Sequence, residues 1–155
     1  MMLAFCERTK SSSSDEKLAR AKALGASDGI NYRTEKVARR VMEMTGGEGV
    51  DMVIDSVVEA SWGESLRSLR RGGRLVTCGA TSGPSATINL MQLFQQQYRI
   101  TGSFGCRIEN IRQSLDKMAA GMKPVIDSVF PLEDFEKGLA RLEGRQVFGK
   151  VVVTF

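Results

Sequence analysis

Two short runs of residues have the types and spacing to bind a ligand through the backbone. Asp55-Ser56-Val57 ends the apolar run that begins at Val50, and Gly79-Ala80-Thr81 follows the run RLVTC. Each comes at the carboxyl end of a predicted strand, the edge of an open α/β sheet where ligands bind. Glycine there lets backbone N–H and C=O groups approach a ligand closely. We predict that both runs line a ligand cleft, with ordinary turn chemistry at strand ends as the competing interpretation.

Side chains that could carry out catalysis are scarce. The sequence has no histidine, which removes the commonest general base and the commonest zinc ligand together. Its three cysteines lie far apart without a C-x-x-C pair, which argues against a disulfide framework and a thiolate zinc site. Glu59, Glu64 and Asp127 form no identifiable carboxylate pair. We predict no catalytic residue and no metal ligand.

A strand, a helix and a second strand must position the two runs. Val50 to Ile54 is nearly all apolar, as a parallel strand covered on both faces requires. A helix is predicted from about Ser61 to Arg71, and Gly72-Gly73 is expected to stop it. Arg74 to Gly79 is the next predicted strand. Such a unit crosses over with right-handed geometry, so both strands end at the same edge of the sheet.

The rest of the chain alternates in the same way. MMLAFC is compatible with a short strand, and ERTKSSSS is polar and loop-like. The other predicted elements are a helix DEKLARAKALGA capped by Ser13 or Ser14, a strand Gly29–Tyr32, a helix EKVARRVMEMT capped by Thr34, a short helix from about Asn89, a strand YRITGSF, a helix Glu109–Ala120, a strand PVIDSVF, a helix LEDFEKGLARLE and a strand FGKVVVTF. This alternation predicts an α/β fold with a parallel sheet.

Composition excludes several function classes. The 155 residues carry a net charge of +4, but the basic clusters fall on or beside predicted helices and aromatic residues make up only 6%. Without a nucleic-acid-binding motif, a solvated helix face explains the charge better than nucleic acid does. No segment has transmembrane length, and the apolar start is too short for a signal peptide. We expect a cytoplasmic protein with no membrane partner.

The sequence resembles the medium-chain dehydrogenase/reductase superfamily, in its zinc-type alcohol dehydrogenase and quinone oxidoreductase branch. The resemblance covers about residues 13–155 and leaves 1–12 as a poorly matched N-terminal segment. It implies a Rossmann-type nucleotide-binding domain without the family's GroES-like catalytic domain. The matching stretches, in family order, are SSDEKLARAKALGA, DGINYRTE, GGEGVDMVIDSV, SLRSLRRGGRLVTCGATSGP, RITGSFG, KPVIDSVFPLED and VFGKVVVTF.

The chain also departs from the family pattern. No G-x-G-x-x-G occurs, and Gly47-Glu48-Gly49 precedes a strand, so it cannot place a helix N-terminus on a pyrophosphate. The family's first strand, central in the order 3-2-1-4-5-6, has no counterpart. We therefore expect an incomplete Rossmann-type parallel sheet with a gap between its halves. Val58 stands where relatives usually have glycine, which affects the shape of the loop.

The resemblance implies three groups of cofactor-binding residues. Lys17 and Tyr32, with Ser14 or Ser13, stand where members that prefer NADPH hold the adenosine 2′-phosphate. The runs at 55–57 and 79–81 correspond to loops along the path from adenosine to nicotinamide, and Ser103-Phe104-Gly105 corresponds to a loop near the nicotinamide. The alternatives are an exposed helix residue for Lys17, a strand-end aromatic for Tyr32 and ordinary turns elsewhere. Trp62 is expected to pack the crossover helix.

Three functional hypotheses follow. The leading one is the NADPH-binding portion of an oxidoreductase whose parent reaction moves a hydride between NADPH and a quinone, enone, aldehyde or alcohol. This chain alone is expected to bind NADPH weakly or not at all, to hold no zinc and not to turn over. It is expected to dimerise through the strand around Arg99–Phe104, the sheet edge in the family. The alternatives are a noncatalytic self-associating module, in which MMLAFC could replace the missing strand, and a different Rossmann-like domain that binds an adenosyl ligand.

Overall fold

The computed structural model describes residues 4–5 and 9–155, with only the backbone for residues 4 and 5. It divides into two compact units between Phe104 and Gly105. Within the described residues, the first unit is built on one sheet, and its helices follow the strands in alternation. Its elements are β1 Ala4–Phe5, β2 Lys10–Ser12, α1 Asp15–Ala23, β3 Gly29–Asn31, α2 Val37–Met44, β4 Val50–Asp55, α3 Trp62–Arg67, β5 Leu69–Thr77, α4 Leu90–Gln95 and β6 Arg99–Gly102.

The strand order in this sheet is β3-β2-β1-β4-β5-β6. The pairs β2–β3, β4–β5 and β5–β6 are parallel, whereas β1 runs antiparallel to both of its neighbours. This order confirms the α/β class and the Rossmann-type arrangement predicted from the sequence.

The central position of the sheet is occupied by β1, so the expected gap is absent. Ala4 pairs with Lys10 on one side and with Ile54 on the other. The predicted strand in MMLAFC is confirmed for residues 4 and 5, and its other residues lie outside the described part of the chain. The prediction of a loop for ERTKSSSS is wrong at β2, because serine backbone pairs with β3 like that of any other residue.

The boundary between α3 and β5 also differs from the prediction. The helix expected over Ser61–Arg71 is shorter, and Gly72-Gly73 lie inside β5 rather than stopping a helix. The reason is tertiary: the Val50 N–H donates to the Ser68 carbonyl at 2.9 Å, which starts strand pairing at Leu69. A register shift follows in this ladder between Val50 and Met52, and Gly72 takes a φ of 73°.

Of the two N-caps predicted for α1 and α2, one is confirmed and the other is wrong. Ser14 is the N-cap of α1, where its Oγ accepts from the Lys17 N–H at 3.4 Å. Thr34 does not cap α2, which begins after Lys36 without a side-chain cap of its own. The Ala38 N–H instead donates to Glu64 Oε2 at 2.8 Å, so a carboxylate from α3 serves this helix start.

The main hydrophobic cluster of the first unit includes residues of β4 and β5. Val53 and Leu75 are fully buried there beneath the apolar residues of α2 and α3. On the opposite face of β4, Ile54 is 39% exposed and Met52 is half-buried. The prediction that this strand is covered on both faces is therefore wrong. Leu24, which was expected on the buried face of α1, is also exposed.

The second unit is a smaller strand–helix–strand arrangement preceded by a helix. It contains α5 Ile108–Ala119, β7 Ile126–Pro131, a 3₁₀ turn Leu132–Asp134, α6 Phe135–Glu143 and β8 Lys150–Thr154, with β7 and β8 parallel. These elements agree with the predicted ones to within a few residues. The predicted apolar stripe of α5 forms, but its side chains are exposed. Among the residues the structure describes, no helix is long and apolar enough to span a bilayer.

Candidate functional site

The carboxyl ends of β4, β5 and β6 meet around an open cavity of about 530 Å³. Four of the predicted site residues line it: Gly79, Ala80, Ser103 and Phe104. Val58, Trp62, Thr77, Pro84, Ala86 and Gly102 complete the lining. Trp62 was expected to pack the crossover helix rather than to contact a cofactor; it packs against the core, as expected, and it also lines this cavity. Its Nε1 is buried without a hydrogen-bond partner.

The loops after β4 and β5 are joined by hydrogen bonds. The Ser56 carbonyl accepts from Thr81 Oγ1 at 2.8 Å and from the Thr81 N–H at 3.2 Å. The Val57 carbonyl accepts from Ser82 Oγ at 2.8 Å and from the Ser82 N–H at 3.1 Å. A carbonyl oxygen has two lone pairs, so both carbonyls are fully used within the protein. The predicted site residues Ser56, Val57 and Thr81 therefore take part in joining the two loops.

Asp55 is the centre of this arrangement. The residue is fully buried, and Oδ1 accepts from the Val57 N–H at 2.8 Å and the Val58 N–H at 3.1 Å. Oδ2 accepts from Ser61 Oγ at 2.8 Å and Ser65 Oγ at 2.7 Å. The carboxylate thus supports the loop from inside and does not face the cavity. Contact between this residue and a cofactor stays a prediction.

Val58 has the backbone conformation of a glycine. Its φ is 71°, in the left-handed region that a β-branched residue rarely adopts and that costs roughly 1–3 kcal/mol. Its carbonyl accepts from the Ser61 N–H at 2.9 Å and the Trp62 N–H at 2.7 Å, and its own N–H is held by Asp55. The loop therefore keeps the shape a glycine would give it, with valine in its place.

Two predicted glycines have structural explanations of their own. A Cβ on Gly79 would lie 3.1 Å from the Ser56 carbonyl oxygen, so the contact between the two loops favours glycine there. Gly105 has a φ of 62° and open space around it, which is turn chemistry at the start of the second unit. Both observations are those expected from the competing interpretation made at the sequence level, and neither tests cofactor binding.

The remaining predicted residues lie at the ends of β2 and β3. Ser14 is the N-cap of α1 and Lys17 lies in the first turn of this helix. The Tyr32 N–H donates to the Ser12 carbonyl at 3.1 Å, which joins the ends of β2 and β3. Tyr32 also lines a smaller cavity of about 230 Å³. This cavity reaches from the end of β3 to the loop after β4. Its other lining residues are Glu35, Lys36, Val37, Ala60, Ser61 and Glu64.

Glu64 is one of three charged residues in the described part of the chain that line the smaller cavity, with Glu35 and Lys36. Partial burial raises the pKa of the Glu64 carboxyl group, but the Ala38 N–H and the Arg67 guanidinium outweigh burial and leave the pKa below its ordinary value. Glu64 is therefore a stable anion at neutral pH. Among the residues that the structure describes, no three His, Cys, Asp or Glu side chains cluster in a way that could hold a metal ion.

Comparison with known proteins agrees with this geometry. Residues 7–120 match the family model of the zinc-binding dehydrogenases. A zinc-type alcohol dehydrogenase-like protein of Schizosaccharomyces pombe is 32% identical over 151 residues, and a quinone oxidoreductase of Pseudomonas aeruginosa is 32% identical over 151 residues. A solved NAD-dependent alcohol dehydrogenase superposes with a TM-score of 0.86 at 36% identity.

These matches cover most of this chain but less than half of each matched protein. The alignments cover 94%, 91% and 94% of this chain, but only 44%, 46% and 43% of the three proteins respectively. The chain therefore spans less than half the length of these relatives. The family match also begins at Glu7, earlier than the resemblance seen in the sequence.

Proposed function

The chain belongs to the zinc-binding dehydrogenase family of the medium-chain dehydrogenase/reductase superfamily and carries its cofactor-binding domain, and from this premise we propose that it is the NADPH-binding portion of an oxidoreductase. The observation that carries the proposal is the cavity at the ends of β4, β5 and β6, where Gly79, Ala80, Ser103 and Phe104 come together. The parent reaction is hydride transfer between NADPH and a quinone, enone, aldehyde or alcohol.

The preference for NADPH is argued from the ends of β2 and β3. An ammonium and two hydroxyl groups, those of Lys17, Ser14 and Tyr32, suit a phosphate monoester. Recognition of an NAD ribose requires a carboxylate near the end of the second strand. Asp15 is the nearest acidic residue after β2, and it already accepts from Asn31 Nδ2 at 2.9 Å. These contacts favour a phosphate over a bare ribose.

The residues present fit the two ends of the dinucleotide better than its middle. Lys17, Ser14 and Tyr32 would hold the adenosine phosphate, and the 530 Å³ cavity would take the nicotinamide ring. The sequence has no G-x-G-x-x-G turn for the pyrophosphate. Bound NADPH would supply the hydride, and the protein groups described above would bind and orient it. We therefore propose weak binding and no turnover by this chain alone.

Calorimetric titration with NADPH and NADH tests the phosphate assignment. We expect Lys17→Ala to weaken NADPH binding about tenfold and to leave NADH binding unchanged, because only NADPH has the phosphate. Lys22→Ala is the matched control. Lys22 lies on the same helix, and its Nζ forms an ion pair with Asp28 Oδ1 at 3.8 Å. The assignment would be contradicted if Lys17→Ala weakened the binding of NADPH and NADH equally, or if Lys17→Ala and Lys22→Ala weakened NADPH binding equally. Tighter binding of S-adenosylmethionine than of NADPH would favour the adenosyl-ligand alternative.

Activity measurements test the second part of the proposal. The purified chain is incubated with NADPH and a series of quinones and aldehydes, and oxidation of NADPH is followed. We expect no turnover above the rate without protein, because the described residues provide positioning groups but no identifiable acid–base pair. Robust turnover would show that this chain is catalytic as it stands.

A second candidate function, self-association, is favoured by the edge strand β6. Each of its four residues is exposed, and its only neighbour in the described sheet is β5. The Ser103 N–H faces β5, since it donates to the Thr77 carbonyl at 2.8 Å, so by alternation the N–H of Ile100 faces outward. We propose that β6 pairs with the same strand of a second copy.

Sedimentation equilibrium tests this interface. We expect the wild-type chain and Ile100→Val to be dimers and Ile100→Pro to be a monomer, because proline removes the outward donor while an edge position tolerates it. A wild-type monomer at micromolar concentration would rule out the interface.

A cytoplasmic location is also part of the proposal. Cys78 and Cys106 are exposed free thiols, which suits a reducing compartment. Fractionation of cells that express the tagged chain tests this location.

A further inference from the structure

The floor of the strand-end cavity is made mostly of small residues. Gly79, Ala80, Gly102 and Ser103 all line it and bring little side-chain volume with them. Small residues allow a flat ligand to lie directly on the backbone. The larger lining residues include Trp62, Phe104 and Val58, and Val58 brings a branched side chain to a backbone conformation that favours glycine.

Val58 cannot withdraw from this position. Its backbone is held on both sides, by Asp55 Oδ1 on its N–H and by the Ser61 and Trp62 N–H groups on its carbonyl. The left-handed φ of 71° persists because these hydrogen bonds determine it. The residue is 7% exposed and belongs to the buried core, so its side chain does not change rotamer freely.

Backbone strain at a binding edge is an observation from which a functional role can be inferred. A glycine at position 58 would adopt the same φ without strain and would leave the floor of the cavity bare. The valine therefore has a steric consequence for any ligand that enters the cavity. Val58 and Trp62 both line the cavity, and the valine side chain takes up volume there that a glycine would not.

We propose that Val58 is a specificity-determining residue that weakens the binding of the nicotinamide ring within the strand-end cavity, because its side chain limits how closely the ring can approach the small lining residues. The proposal rests on the proposed function, in which that cavity takes the nicotinamide ring. The adenosine end, at Lys17 and Tyr32, lies at other strand ends and is unaffected. The chain then gains little affinity from the nicotinamide half of the cofactor.

The test compares NADPH with 2′,5′-ADP, which has the adenosine phosphate but no ring end. The measured quantity is the ratio of the dissociation constant of 2′,5′-ADP to that of NADPH. We expect a ratio near one for the wild-type chain and about tenfold higher for Val58→Gly. Val58→Ala keeps a side chain at the strained position but lacks the two methyl groups, and it separates volume from strain. We expect Val58→Ala to raise the ratio as well.

Gln97→Gly is the matched control. Gln97 is an exposed non-glycine residue with a φ of 56°, so this change relieves the same kind of strain away from the cavity. Trp62 supplies an independent reading, since it is the single tryptophan of the chain and lines the cavity. A nicotinamide ring beside it should quench its fluorescence in Val58→Gly more than in the wild type, whereas 2′,5′-ADP should not.

The outcomes separate the inference from the proposed function. If both ligands bind and the ratio is the same in the wild type, Val58→Ala and Val58→Gly, the inference is wrong and the proposed function stands. A ratio that falls in the two variants also overturns it, since Val58 would then be a contact for the ring. If no variant binds either ligand, both are wrong. A thermal melt of each variant without ligand shows whether it is folded.

Discussion

Each of the two units contains a carboxylate hidden from solvent, and the two are stabilised by different groups. In the first unit, Asp55 is fully buried and accepts only from neutral donors, two backbone N–H groups and two serine hydroxyls. In the second unit, the Asp127 side chain is 2% exposed and accepts from the Arg141 guanidinium at 2.6 Å and the Phe148 N–H at 3.0 Å.

This difference determines what happens when each carboxylate is lost. Removal of Asp55 leaves four donors in a place that water does not reach, and each unsatisfied buried group costs about 1–3 kcal/mol. Removal of Asp127 leaves Arg141, whose side chain is 39% exposed and can be hydrated. The region around Asp55 is therefore the less tolerant of the two. It is also the region that shapes the loop carrying Val58.

The largest expected effect is that of Asp55→Ala. We expect it to lower the free energy of unfolding by about 4 kcal/mol, because the Val57 and Val58 N–H groups and two serine hydroxyls lose their acceptor together. Urea unfolding followed by Trp62 fluorescence measures it, since this tryptophan lies in the first unit. Asp51→Ala is the control, an exposed carboxylate paired with Arg70, with an expected loss below about 1 kcal/mol. Similar losses in both variants would contradict the role of Asp55.

A smaller effect, with a distinct pH dependence, is expected from Asp127→Asn. The Arg141 guanidinium, followed by the Phe148 N–H, lowers the pKa of Asp127 to about 2. The folded pKa is below the unfolded one, so this residue stabilises the protein above the unfolded value near 4 and the contribution is lost as pH falls towards 2. We expect a smaller drop in Tm than for Asp55→Ala at neutral pH, and convergence with the wild type near pH 2.

Circular dichroism melts at several pH values measure this prediction. The matched control is Asp116→Asn, at an exposed position on α5, for which we expect the wild-type profile. If the difference in Tm between the wild type and Asp127→Asn stayed constant between pH 4 and pH 2, the ion pair between Asp127 and Arg141 would not be the source of that difference.

The smallest expected effect is that of Glu64→Gln, which changes a partly exposed carboxylate of the first unit. Glu64 accepts from the Ala38 N–H and from Arg67 at 2.7 Å, and its side chain is 27% exposed. We expect a loss of about 0.5–1 kcal/mol at pH 7, because a neutral amide interacts less well with a helix N-terminus. Its pKa is lowered in the folded protein, so the loss should fade as pH drops below about 4.5.

Urea unfolding at pH 7 and pH 3 measures this effect, with Glu48→Gln, an exposed residue outside any helix, as the control. A loss that is as large at pH 3 as at pH 7 would mean that the amide fails for a steric reason.

Local pattern predicted most of the elements correctly. Ser14 as a cap, the helix after Asn89 and the strand Arg99–Gly102 all follow from neighbours within a few residues, and the structure has each of them. The errors occur where a distant partner decides the outcome. Residues 69–73 read as the end of a helix, yet they form a strand because the backbone around Val50 pairs with them.

The candidate site shows the same division. Gly79 and Ala80 were predicted because strand ends can be located from the sequence, Ser103 and Phe104 because of the family resemblance, and all four line one cavity. Val58 was noticed only as a departure from family pattern, and nothing in its neighbours predicts a left-handed valine. Trp62 was assigned to packing alone, because a helix pattern does not show what lies beyond the strand ends.

The sequence by itself determined the alternation of strands and helices, the edge of the sheet where the cavity forms and the absence of histidine. These depend on residue type and short spacing, which are present in the chain before it folds. The tertiary structure alone decided that β1 occupies the centre of the sheet, that Glu64 serves the start of another helix and that Asp55 holds Val58 in place. Such contacts depend on residues that are distant in sequence or on a buried hydrogen-bond network. No local sequence pattern encodes them.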